Sequence, residues 1–334
     1  MSPIKQVGFK TDPGRKRRLN EDAYVVEPPL FAVADGIGGA QAGEVASGLT
    51  VAALREGEGE GQGAGEQHLT DLIQEANRRV YERANEDATA AGMGTTVTVA
   101  LVEDGVVSIG HVGDSRAYLI RDGRLEQLTD DHTLVAELVR SGRLSPDEAD
   151  VHPQRSVITR AIGTDPDVDV DTLRVETKPG DLFMLCSDGL SDMVSDSQIL
   201  SIIEESRDNL KGAAQALVRA ANKGGGDDNI TVIFFEVGQA DEPLEETARY
   251  PVLTDEPGED EETLDEVDGV PAVGTDTMIV SPEDARRLTQ AAADPTPPAS
   301  PGRAAPQRSR VVPLLLIILG ILAMVALLVW GLAR

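Results

Sequence analysis

The chain has little of several things. Among its 334 residues there is a single cysteine, Cys186, and aromatic side chains make up 3%. A lone cysteine excludes any disulfide within the chain. Its apolar neighbours, Leu182–Leu185, mark it as a small buried residue rather than a reactive thiol. Basic side chains are also scarce: 30 Lys and Arg stand against 58 Asp and Glu, a formal net charge of −28. A chain this acidic does not neutralise nucleic-acid phosphates, so nucleic acid is not expected as a partner. Residues Met1 to Lys10 contain no long apolar run, so no secretory signal peptide is read there. No His/Cys group has zinc spacing. His68, His111, His132 and His152 are scattered and read as structural.

What is present is unevenly spread. Hydrophobic residues are 40% of the chain, enough for a core. Residues 1–235 hold 40 acidic and 23 basic side chains, whereas residues 236–295 hold 18 and 3. Residues 1–238 read as one globular unit. Strand-like runs fall at Leu30–Asp35, Thr95–Val102, Val106–Val112, Ala117–Ile120, Leu182–Cys186 and Ile230–Val237. Asp104-Gly105 and Asp122-Gly123 each sit between two such runs and predict tight two-residue hairpins, hence antiparallel sheet. Helical patterns cover about 41–56, 67–89, 131–142, 196–206 and 209–222, with Ser195-Asp-Ser-Gln198 as a cap. Gly57–Gly65 reads as a flexible loop. The fold class expected is α+β.

Residues 239–310 lose apolar periodicity and are rich in Pro, Asp, Glu and Thr, which predicts a disordered acidic and Pro-rich linker. Asp276-Thr-Met-Ile-Val-Ser-Pro282 interrupts it, either as a docking motif or as an incidental apolar patch. Val311–Ala333 then runs 23 residues without a charge. As a helix it would span roughly 34 Å, enough for one transmembrane segment. Arg303, Arg308 and Arg310 precede the span and Arg334 alone follows it. The positive-inside tendency puts the N-terminal bulk in the cytoplasm, on a single-pass anchor in the cell membrane and its lipid bilayer.

The informative acidic residues lie at strand ends. Ala32-Val-Ala-Asp35-Gly36 is a strand running into a glycine-rich loop, Gly113-Asp114 follows a strand, and Ser187-Asp188 ends another. Asp227-Asp228-Asn229 stands just before the strand at Ile230. Buried carboxylates are expensive unless paired or metal-bound, and hard divalent cations take oxygen ligands. Near the start, Arg17-Arg-Leu-Asn-Glu21-Asp22 reads either as an exposed basic run or as a phosphate-binding arginine followed by carboxylates.

Together these elements resemble the metal-dependent protein phosphatases of the protein phosphatase 2C family, over residues 1 to about 238. The resemblance rests on Arg17–Asp22, Ala34-Asp-Gly-Ile-Gly-Gly39, Gly94-Thr-Thr96, Gly113-Asp-Ser-Arg116, Ser187-Asp-Gly-Leu190 and Asp228-Asn229. Its loops and its tail-anchored layout are similar to those of bacterial members that oppose membrane Ser/Thr kinases. The resemblance implies a central antiparallel β-sandwich flanked by helices, with two Mn²⁺ or Mg²⁺ ions at one edge and a third in bacterial relatives. It implies metal roles for Asp35, the Gly36 carbonyl, Asp188 and Asp228, and a third-metal role for Asp114. It also implies that Glu21 and Asp22 act on metal-bound waters and that Arg17 binds the substrate phosphate. The reaction implied is hydrolysis of phosphoserine or phosphothreonine in proteins by in-line attack of metal-activated water. One departure stands out: many eukaryotic relatives carry a histidine where this chain has Ile37, so a general acid is missing from that position. The alternative is an inactive pseudo-phosphatase serving as a binding module. Linker threonines Thr254, Thr263 and Thr277 are candidate phosphorylation sites.

Overall fold

Continuous apolar strands are buried on both faces, and they lie at the centre of the fold. The computed structural model describes residues 4–38, 42–58, 65–238 and, as backbone, 278–279. In chain order the elements are β1 (Ile4–Asp12), β2 (Asp22–Glu27), β3 (Leu30–Ile37), α1 (Ala42–Glu58), α2 (Gly65–Glu86), β4 (Gly94–Thr95) and β5 (Val97–Glu103). Next come β6 (Val106–Val112), β7 (Arg116–Arg121), β8 (Arg124–Gln127), α3 (Leu134–Arg140), α4 (Pro146–Asp150), β9 (Val157–Ile158) and β10 (Asp171–Glu176). The series closes with β11 (Leu182–Cys186), α5 (Asp188–Ser191), α6 (Asp196–Glu205), α7 (Leu210–Gly224), β12 (Ile230–Val237) and β13 (Met278–Ile279).

Two antiparallel sheets face each other. One has the order β1-β12-β11-β7-β8; the other runs β10-β6-β5-β3-β2, with β4 paired to β3. Alternate side chains of both sheets meet in a shared interior that includes Phe31, Val33, Ile109, Leu119, Phe183 and Phe235. Phe235 stacks on Phe31 at 4.3 Å and on Phe183 at 5.0 Å between ring centroids. Burying each ring is worth about 1.5–3 kcal/mol. The outer face of the second sheet packs on α1 and α2, and the outer face of the first packs on α6 and α7. The molecule is therefore α+β, two antiparallel sheets flanked by helices.

The Asp-Gly hairpins form as the sequence predicts. Glu103 pairs with Val106 and Arg121 with Arg124, each across a two-residue loop. Asp122 and Gly123 both take positive φ, 52° and 70°, the conformation that suits strand twist at such turns. Cys186 is buried as a free thiol. Some expectations change. β1, β2 and β10 lie outside the strand-like runs, because their apolar and polar residues mix at sheet edges. Helix α1 continues through Gly57 and Glu58, and α2 begins at Gly65, so residues 59–64 are what is left of the expected loop, and they lie outside the described residues. Ser195 does occupy the N-cap of α6, but its hydroxyl makes no capping bond; it meets Gln198 Oε1 at 3.3 Å instead. The expected membrane span, Val311–Ala333, and nearly all of the linker lie outside the described residues. Among the described residues no helix is long and apolar enough to cross a membrane.

Candidate metal centre

The strand-end carboxylates converge on one edge of the sandwich. Asp22 opens β2 and Asp35 lies near the end of β3, and the two stand directly opposite each other in the sheet. Like charges in that register repel. Asp188 starts α5 just after β11, and Asp114 follows β6. Asp228 precedes β12, and Arg17 and Glu21 lie on the loop between β1 and β2. The topology thus gathers all eight sequence-predicted positions at this edge, Gly36 included.

Backbone packing there is close. A Cβ on Gly36 would come within 2.2 Å of the Gly43 carbonyl oxygen and 2.7 Å of the Glu21 carbonyl oxygen. Glycine therefore lets β3 run against the first turn of α1. The main chain of Asp35 is held firmly: its N–H donates to Thr96 Oγ1 at 3.0 Å, and its carbonyl accepts from Thr95 Oγ1 at 2.7 Å and from the Thr96 N–H at 2.9 Å. Thr96 Oγ1 also meets Ser115 Oγ at 2.7 Å, tying the Gly94-Thr-Thr96 motif to the residue after Asp114.

Asn229 is a residue whose role the sequence pattern does not reveal. Its Oδ1 accepts from the Glu21 N–H at 2.8 Å, while its Nδ2 donates to the carbonyls of Pro13 at 3.0 Å and Leu19 at 2.9 Å. One buried amide thereby clasps both ends of the loop that carries Arg17. Ser187 and Thr231 were also missed; their hydroxyls donate to Asp22 Oδ2 at 2.8 and 2.6 Å. The only sequence hint of the first is its place beside Asp188. Arg17 itself donates from Nη2 to Asp228 Oδ2 at 2.8 Å. In this structure the arginine expected to bind phosphate is thus held by a carboxylate expected to bind metal.

The electrostatics follow from burial. Asp35 is pushed well above the usual carboxylate range, first by burial and then by Asp22, Asp188, Asp228 and Asp114. Asp188 is raised in the same way, by burial and then by Asp114, Asp228 and Asp192. Burial also lifts Asp22 to about 7 against the two hydroxyl hydrogen bonds, and lifts Asp114 to about 7 with help from Asp131 and Asp192. Glu21 is raised by burial, with Arg17 opposing. Asp22 Oδ1, Asp114 Oδ1 and Asp188 Oδ1 are sealed from solvent with no hydrogen-bond partner. Among the described residues no three His, Cys, Asp or Glu side chains close to the spacing of a preformed metal site. The donor set nevertheless fits hard divalent cations: it is all oxygen and strongly anionic, and three of its oxygens lack any other partner. Beside Asp114 and Asp188 opens a cavity of about 420 Å³, walled on its other sides by Arg116, Asp131, Arg155 and Ser156. Arg116 is fixed there by a two-pronged bond to Asp131, at 2.9 and 2.7 Å.

The histidines stand apart from this chemistry. His111 Nε2 donates to the Asp130 carbonyl at 3.1 Å while its Nδ1 meets Thr98 Oγ1 at 2.9 Å, and His132 Nδ1 accepts from the Gly113 N–H at 3.0 Å. Burial holds them near 4 and 3, so they are neutral structural groups.

The sequence model described as protein phosphatase 2C matches residues 15–221. The chain belongs to the protein phosphatase 2C family. Within that family it is 40% identical over 238 residues to the serine/threonine phosphatase stp of Listeria welshimeri, covering 68% of this chain and 94% of that protein. It is 41% identical over 231 residues to the serine/threonine protein phosphatase PstP of Mycobacterium tuberculosis, covering 68% of this chain and 44% of that longer protein. The crystal structure of the M. tuberculosis PstP superimposes with a TM-score of 0.68 at 39% identity, covering 71% of this chain and 100% of that one. A structure of the PstP catalytic domain in complex with two manganese ions gives 0.65 at 37% identity, covering 71% and 99%. The matched span holds all of the sequence-predicted site residues except Asp228; β1, β12 and Asp228 lie outside it.

Proposed function

We infer that this protein is a metal-dependent protein serine/threonine phosphatase. The observation that carries the reading is the set of buried carboxylates, three of them with an unpartnered oxygen, on the sandwich edge of a protein phosphatase 2C chain. Asp35, the Gly36 carbonyl, Asp188 and Asp228 would hold two divalent cations, and Asp114 with Asp188 a third. The oxygen donor set suits Mn²⁺ or Mg²⁺, and manganese occupies the related PstP catalytic domain. When bound, such a pair supplies an activated water and neutralises the charge of the phosphoryl group.

The chain's own residues do the rest. Arg17 exchanges its contact with Asp228 for the substrate phosphate, on a loop that the Asn229 clasp holds in place. Asp22, oriented by Ser187 and Thr231, and Glu21 hold protons near the attacking water. Asp114 and Asp188 line the cavity that admits the phosphorylated side chain. Ile37 packs with Ile158 and Ala161 and offers no proton, so the serine or threonine leaving group draws its proton from water. A pH–rate profile governed by one protein group near neutral pH, with a serine leaving group, that persists in Asp22→Asn would rule that out.

The test is phosphate release from a phosphothreonine peptide, with Mn²⁺, with chelator, and with Asp35→Asn. Activity that needs the metal and vanishes in the variant supports the reading; a folded chain inactive with every divalent ion returns it to the binding-module alternative. The charge-free run Val311–Ala333 supports a further part of the reading, a single-pass anchor in the cell membrane with the catalytic domain in the cytoplasm. That layout brings phosphorylated membrane Ser/Thr kinases within reach as substrates. Recovery of the full chain in the soluble fraction after cell lysis would remove the anchor and that argument together.

A further inference from the structure

The acidic linker returns to the catalytic domain at β13. Met278 pairs with Val157 and Ile279 with Ile158, in parallel. The other edge of β9 is already taken: Ile158 bridges Thr133, and the Thr159 N–H donates to the His132 carbonyl at 2.8 Å. Peptide groups alternate along an extended chain, so the Ile158 N–H faces the opposite edge, the side that β13 takes. β9 is well anchored, with Val157 buried against Leu134 and Leu138, and Ile158 against Ile37 and Ala161. An anchored strand with an open edge is a template for adding another strand.

The sequence supplies a matching occupant. Met278-Ile-Val280 is an apolar, partly β-branched triplet at the end of a strongly acidic stretch. A strand pair this short is too weak to recruit a separate molecule. Tethered by the chain after Gly238, it acts at an effective concentration on the order of millimolar. Its position bears on the active site, because Arg155 and Ser156, which line the cavity beside Asp114 and Asp188, immediately precede β9. The acidic charge lies before the docked pair: residues 239–276 hold 14 Asp and Glu against one Arg, whereas after it Arg286 and Arg287 nearly offset Glu283 and Asp284. Docking at Met278 ties the end of that acidic run to β9.

We propose that the open edge of β9 is a docking site for this chain's own linker segment at Met278–Ile279, and that docking sets acidic chain beside the substrate cavity, where it opposes anionic phosphopeptides. The second half of the proposal rests on the phosphatase reading; the docking does not. The experiment compares the full chain with its M278P/I279P variant, which removes the linker's strand-forming N–H groups and leaves the catalytic sequence untouched. Two quantities are read: amide hydrogen exchange at Ile158, and KM for a phosphothreonine peptide with acidic flanks. Exchange at Ile158 is expected to be at least about tenfold faster in the variant. KM is expected to fall about two- to threefold at low salt with kcat unchanged, and this difference to shrink at high salt. Equal exchange at Ile158 in the two chains overturns the docking, and does so whether or not the protein is catalytically active. Faster exchange with unchanged KM overturns the link to the substrate cavity.

Discussion

Two acidic regions of this molecule behave in opposite ways. On the exposed face of α2, Glu75 accepts hydrogen bonds from Arg78 and Arg79, which hold its carboxyl down at about 2. Glu82 and Glu56 take further contacts from the same two arginines. At the sandwich edge, Asp22, Asp35, Asp114 and Asp188 are buried chiefly among one another and are pushed up. The functional group is the same in both places; burial and the sign of the neighbours differ. Carboxylates matched by arginine in open solvent add little to stability and call for nothing more. A buried set facing its own kind takes up protons or takes up cations.

The strongest way to break this comparison is to neutralise one member of the buried set. Asp35→Asn is expected to lower kcat in the phosphate-release assay by about 10²–10³-fold or more, the scale of losing a preorganised electrostatic partner. Near-normal activity would make the edge no more catalytic than α2. Next in size is Thr96→Val, which removes the hydroxyl that accepts the Asp35 N–H. Such supporting contacts are typically worth about 10–100-fold in metal affinity, here read by Mn²⁺ titration calorimetry. Wild-type affinity in that variant would show that Asp35 is held without Thr96.

A third prediction concerns pH. Asp22 and Asp114 bind protons up to about 7 in the folded, metal-free chain, whereas the unfolded chain releases them near 3.8. Between those values the folded state binds more protons, so this set's contribution to stability falls as pH rises. In chelator, Tm is expected to be lower at pH 7.5 than at pH 5.5, by about 2–4 °C for each kcal/mol of difference. Excess Mn²⁺ should shrink or reverse the gap, and an Asp22→Asn, Asp114→Asn double variant should narrow it. A chelated chain that is more stable at the higher pH would contradict the burial argument. The smallest effect is expected on α2: Arg78→Ala should change Tm by less than about 2 °C, and more so at low salt than at high. A larger loss would mean that the exposed pairs do more than the comparison allows.

Parts of both regions are legible in the sequence. Asp122-Gly123 announces its hairpin because only certain residues accept positive φ at both turn positions. The runs Val106–Val112 and Leu182–Cys186 announce buried strands because nothing in them suits water. β10, Asp171–Glu176, does not announce itself; it lies at a sheet edge where half its residues meet solvent, and its pattern resembles that of a loop. In the site, Asp35, Asp114 and Asp188 stand out because an acidic residue ending an apolar strand is locally out of place. Asn229, Ser187 and Thr231 carry no such signal. Each acts on a partner more than 150 residues distant along the chain, and an asparagine or hydroxyl looks the same in a turn as in a clasp.

By itself, then, the sequence determined where the apolar strands and the Asp-Gly turns fall, which acidic residues sit at strand ends, and to which family the chain belongs. Those features are local: backbone preference, apolar periodicity and short motifs are all written in neighbouring residues. The tertiary structure alone decided that Arg17 meets Asp228, that Asn229 clasps the loop from Pro13 to Glu21, and that Met278–Ile279 lies along β9. It also decided which carboxylates are raised and which lowered. Proton affinity depends on how deeply a group is buried and on whose charge faces it, and both are set by which distant segments the fold brings together.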